Sequence, residues 1–99
     1  MLETLQRSDF TGYLHQHFTV MLAGGDTLDL QLVEVMALGS APAGRQRQPF
    51  SLIFRHDRTD AYLPQGVHTL HHAEMGQLEL FLVPLGPAPD GMRYEAIFT

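Results

Sequence analysis

Gln77 to Thr99, QLELFLVPLGPAPDGMRYEAIFT, reads as two β-strands joined by a Pro/Gly turn. Leu78, Leu80 and Leu82 share one face by period-two alternation, while Phe81, Val83 and Leu85 load the other. A strand apolar on both faces needs cover on both, so this hairpin is expected to lie centrally in a small closed core. A chain of 99 residues has room for one such core, which predicts a single domain over 1–99.

The residues before the hairpin supply the rest of a sheet. Ser8 or Asp9 is placed to cap a short helix with Phe10, Tyr13 and Leu14 at helical spacing, although Gly12 weakens it by about 1 kcal/mol relative to alanine. From His17 the period becomes two: Phe18, Val20 and Leu22 alternate with Thr19 and Met21, and Gly24-Gly25-Asp26 makes a hairpin turn. A second strand runs from about Thr27 to Met36. Its apolar phase moves from Leu28, Leu30 and Leu32 to Val33 and Val35, which predicts a β-bulge or a sharp bend, or else complete burial of both faces at that end. Pro49 opens a third strand in which Phe50, Leu52 and Phe54 point one way, and Val67 to His72 forms a fourth after the Leu63-Pro64-Gln65-Gly66 turn. Ala37 to Gln48 reads as a long loop, His56 to Tyr62 as a solvated connection, and Ala73 to Gly76 as a turn. The fold class is therefore mainly β: a small six-stranded antiparallel barrel or compact sandwich in meander-like order, with a short N-terminal helix. Phe18, Phe50, Phe54, Phe81 and Phe98 suffice to fill its interior.

Composition excludes several functions. The net charge is −5, with six arginines and no lysine, so the basic face of a nucleic-acid binder or a polybasic membrane patch is not expected. No apolar run approaches the roughly 20 residues of a membrane span. MLETLQRSDF, with Glu3 early and no apolar segment, does not read as a secretory signal. With no cysteine there is neither a thiolate nucleophile nor a Cys-based zinc site, and the cytoplasm is the default compartment.

The histidines are the first candidates for chemistry. His68 and His72 share a strand face with His71 opposed, and His15 and His17 would share one if their segment is extended. Imidazoles from two strands, with Glu74 as a carboxylate, could hold a divalent ion, yet the spacing lacks any tight metal motif, and solvent-facing polar positions explain them as well. Ser8, Ser40 and Ser51 lie outside any nucleophile elbow. Asp26 and Asp29, or Asp57 and Asp60, fit turn positions where aspartate bonds locally. Arg45, Arg47 and Gln48 could meet an acidic partner or simply occupy a solvated loop. Tyr62 and Tyr94 suit an interface, although Tyr94 equally fits a core alternation with Ala96 and Phe98. No catalytic, cofactor-binding or metal-ligating residue is assigned, and an enzyme is not expected.

PFSLIFRH (Pro49–His56), LPQG (Leu63–Gly66), GQLELFLVPLGP and GMRYEAIFT together resemble a family of short bacterial proteins described as a domain of unknown function. The resemblance covers nearly the whole chain. It implies no established activity and no site residues, and it suggests encoding near phage-tail-like proteins. The shared positions are strand-core residues and turn formers, as in a scaffold. The expected function is a non-enzymatic structural or protein-interaction module, with a homodimer through the C-terminal edge strand or another protein as partner. The alternative is a small ligand- or metal-binding β-barrel using His68 and His72.

Overall fold

A computed structural model describes residues 5–39, 48–57 and 63–98. These residues form one short helix, α1 (Arg7–Thr11), and six strands: β1 (His17–Met21), β2 (Thr27–Ala37), β3 (Phe50–His56), β4 (Gly66–His72), β5 (Gly76–Ala88) and β6 (Gly91–Phe98). The strands close into an antiparallel barrel in the order β1-β2-β3-β6-β5-β4, so the barrel form holds over the sandwich. The order departs from a single meander. Two three-stranded meanders, β1-β2-β3 and β4-β5-β6, are joined by the β3–β6 and β1–β4 pairings.

Alternation drives each strand's inner face. Phe18 and Val20 of β1, Leu30 and Leu32 of β2, and Phe50, Leu52 and Phe54 of β3 are fully buried, and Leu70, Leu80, Leu82, Tyr94 and Ala96 complete the interior. The phase change in β2 is a bulge: Leu32 pairs with Phe54 and Glu34 with Ile53, leaving Val33 as the extra residue. The β1–β2 connection is a 3-10 turn, Ala23–Gly25, with Gly24 and Gly25 at positive φ.

Two expectations about the strands are corrected. The hairpin strand β5 is not covered on both faces, because Leu80 and Leu82 point into the barrel while Phe81 and Leu85 face out and are about half exposed. A closed barrel has one interior, so the second apolar face has nowhere to go. β3 is the strand buried on both faces, with Ser51 and Ile53 covered as well as its inner row. The C-terminal strand is no free edge: β6 is paired with β3 over Met92–Phe98 and with β5 over Gly91–Glu95.

The interior place expected for Phe81 is taken by Phe10. β1 pairs with β2 only over Thr27–Gln31, while β2 continues along β3 to Ala37. Helix α1 packs against β2, and Phe10 inserts its ring 5.9 Å from Phe50 and 5.6 Å from Phe98, which stack on each other at 4.5 Å. Burying such a ring contributes about 2–3 kcal/mol. The helix is capped at Gln6 rather than at Ser8 or Asp9. The Gln6 amide donates to the Asp9 carboxylate at 2.7 Å, so Asp9 serves the first turn from inside the helix.

Candidate functional site: a polar recess on the barrel wall

Outward-facing residues at one level of the barrel form a polar row across four strands. His17 of β1 pairs with Gln31 of β2, Gln31 with Arg55 of β3, and Arg55 with Arg93 of β6. Each stands opposite inward apolar neighbours, so strand periodicity alone turns it to the outside. Below this row the wall dips into a recess of about 110 Å³ lined by His17, Asp29, Gln31, Arg55, His56 and Asp57.

Asp29 organises two imidazoles. Its carboxylate meets His17 Nδ1 at 2.5 Å, and its main-chain carbonyl meets His56 Nδ1 at 2.8 Å. A carboxylate and a carbonyl only accept, so both rings carry their proton on Nδ1 toward Asp29. In the neutral rings this leaves the Nε2 lone pairs unused. That of His56 is buried and has no hydrogen-bond partner among the described residues.

Arg55 is held rigidly beside them. Nη1 donates to Gln31 Oε1 at 3.0 Å, Nε and Nη2 donate to the Asp90 carbonyl at 2.9 and 2.7 Å, and Nη2 also reaches the Asp57 carboxylate. Arg93 grips the Asp90 side chain, donating from Nη2 at 2.9 Å. That hydrogen bond, with the charge of Arg93 and of Arg55, holds the Asp90 carboxyl below its ordinary value against a smaller opposing effect of desolvation. The β5–β6 turn is thus stapled to the end of β3. Gly91 permits the approach: at φ 129°, a Cβ there would stand 2.1 Å from the His56 carbonyl oxygen.

The histidines singled out by spacing are placed otherwise. His15 lies in a turn at φ 72°, off the β1 face that carries His17. His71 is exposed, and His68 Nε2 bonds the Pro64 carbonyl at 2.8 Å. His72 is 4% exposed between the rings of Phe18 and Tyr13. Its Nδ1 accepts from the Glu74 and Met75 amides at 3.1 and 3.2 Å, so Nε2 is the donor to Gln16 Oε1 at 2.7 Å. Both nitrogens are used within the fold, which is a structural role rather than that of a ligand. Glu74 accepts from the Tyr13 hydroxyl at 3.2 Å, and loss of solvent followed by that bond pushes the Tyr13 phenol up. Among the described residues no group of three or more His, Cys, Asp or Glu is arranged to hold a metal ion.

The remaining candidates fall apart spatially. Ser8 is on α1 and Gln48 bonds the Gly39 carbonyl, while Ser51 is wholly buried with its hydroxyl unpartnered among the described residues. Asp29 sits within β2, not in a turn, and Asp26 ends the 3-10 turn. Tyr94 is a core residue whose hydroxyl accepts from the Leu63 amide at 2.9 Å. Ser40, Arg45, Arg47, Asp60 and Tyr62 lie outside the described residues. Sequence reasoning missed Gln31, Arg55 and His56 as companions of His17 and Asp29, because the group is drawn from three strands, β1, β2 and β3. The available signal was a polar outward position in each of three neighbouring strands.

These features define a small closed β-barrel domain with a filled interior and a polar recess in its wall. The chain belongs to the family described as a domain of unknown function, DUF6916, whose model matches residues 5–98. No curated protein and no solved structure matches the chain. Among the described residues, no helix is long and apolar enough to cross a membrane.

Proposed function

We propose that this domain is a non-enzymatic, cytoplasmic protein-interaction module that works through the outer face of its barrel. The observation that carries the reading is a cluster of exposed apolar side chains on β4, β5 and β6: Val67 at 66%, Phe81 at 52%, Leu85 at 51% and Ile97 at 56%. Val67 and Phe81 are direct cross-strand partners. Val83 pairs with Glu95, so Phe81 and Ile97, two residues further along each strand, fall on the same side. Single exposed apolar residues are ordinary, but a contiguous group on neighbouring strands marks a contact surface. The packed interior favours this reading over a barrel that encloses a ligand. The use of both His72 nitrogens within the fold weighs against a metal held by His68 and His72.

The partner is a second copy or another protein, and a phage-tail-like assembly is the setting that the sequence resemblance suggests. Sedimentation of the wild type and of Phe81→Glu, compared at equal thermal stability, tests the reading. Self-association that Phe81→Glu abolishes supports a homo-oligomer. A monomer that crosslinks to another protein through a photoreactive residue at position 81, and not through one at Asp26, supports a heterologous partner. A monomer with no crosslink specific to position 81 overturns the proposal.

A further inference from the structure

The recess between β1, β2 and β3 has an unbalanced set of valences. Arg55 spends Nε, Nη1 and Nη2 on Asp90, Gln31 and Asp57. Gln31 donates from Nε2 to the His15 carbonyl at 3.1 Å. The donors of the recess are therefore largely committed. Its acceptors are not. Among the described residues, the second oxygens of Asp29 and Asp57 and the Nε2 of His17 have no partner, while the unpartnered Nε2 of His56 is closed to solvent. The two carboxylates outnumber the single guanidinium, so the recess carries one surplus negative charge when its imidazoles are neutral.

We propose that this recess receives the guanidinium head of an arginine from a basic partner protein. The inference rests on the interaction-module reading and names the chemistry of the partner. A guanidinium presents five N–H donors in a plane and no acceptor, the complement of what is left unfilled here. The recess, about 110 Å³ and open to solvent, has room for a head group of that size. Charge selects the source of the side chain. The chain carries −5 overall, with no lysine, so two copies repel and a basic partner is the favoured donor. The recess lies on the β1–β2–β3 wall, apart from the apolar cluster on β4, β5 and β6, so the two surfaces are separable by mutation.

The test is an NMR titration of the whole chain, at low ionic strength, with the capped tripeptide acetyl-Gly-Arg-Gly-amide. The uncharged citrulline counterpart and methylguanidinium are run beside it. The expected result is a set of shifts confined to the His17 and His56 rings and the Gln31 and Arg55 amides. Asp57→Asn, with an unchanged melting temperature, should bind about tenfold more weakly, the worth of one charge-assisted hydrogen bond. Equal shifts from the citrulline peptide, shifts centred elsewhere, or no effect of Asp57→Asn would overturn the assignment. Methylguanidinium binding as tightly as the peptide would overturn the partner-protein source and make the occupant a free cation. Phe81→Glu should leave the titration unchanged. Loss of recess binding with the apolar wall still mediating association therefore breaks this inference alone, while the reverse breaks only the wider reading.

Discussion

The two ends of the β3–β6 pair close the barrel by opposite means. At one end Phe50 faces Phe98 and the Phe10 ring plugs the opening, a contact made only of aromatic carbon. At the other His56 faces Met92, and the β5–β6 turn is tied down through Arg55, Asp90 and Arg93. The apolar end draws on area removed from water and tolerates little loss of volume. The polar end draws on directional bonds that solvent competes for, and it leaves a recess with spare acceptors. Stability is therefore expected to concentrate at the aromatic end and binding chemistry at the polar one.

Phe10→Ala should break the comparison most visibly. Removing a fully buried ring costs about 3–5 kcal/mol, measured as a lower denaturant midpoint with a similar slope. A cost near zero would mean that the plug is dispensable. Gly91→Ala tests the polar end at its tightest approach. The added methyl meets the His56 carbonyl at a φ unfavourable to alanine, so a loss of roughly 1–3 kcal/mol is expected in the same assay.

Tyr94→Phe lies between the two ends. Loss of the bond to the Leu63 amide should cost about 1 kcal/mol. Burial raises the Tyr94 phenol above 10.0, with the Leu63 bond opposing in part. The neutral phenol is thus favoured by folding: its contribution is whole below the unfolded value and is lost as pH rises through the folded one. Wild type should lose stability on the alkaline side more steeply than Tyr94→Phe. Asp90→Asn should have the smallest effect. A carboxyl held below 3.8 by Arg93 stabilises the fold above that value and ceases to as pH falls through the lowered one. The variant should differ from wild type on the neutral side of the acid limb and converge with it at the lowest pH.

Much of the fold was legible in the residues. Period-two alternation located β1, β3 and β4, the phase slip in β2 marked the bulge at Val33, and Gly24-Gly25 marked the first turn. The recess was hardly legible. His17, Asp29 and His56 come together because β1, β2 and β3 are neighbours in one particular register, and no local spacing encodes a register between strands. The clustered histidines of β4 drew attention because they are adjacent in sequence, yet alternation sends His71 outward and His72 into the core.

Phe10 and Phe81 mark the boundary between the two kinds of information. The sequence determined by itself that the chain is a small β domain with strongly apolar strands, since side-chain period and turn chemistry are local properties. Only the tertiary structure decided that the ring of Phe10, in a weak five-residue helix, is wholly buried while that of Phe81, in the most apolar strand, is 52% exposed. A closed barrel has a single interior of fixed volume. Once one face of each strand, Leu63 and the Phe10 plug have filled it, the ring of Phe81 has no place inside.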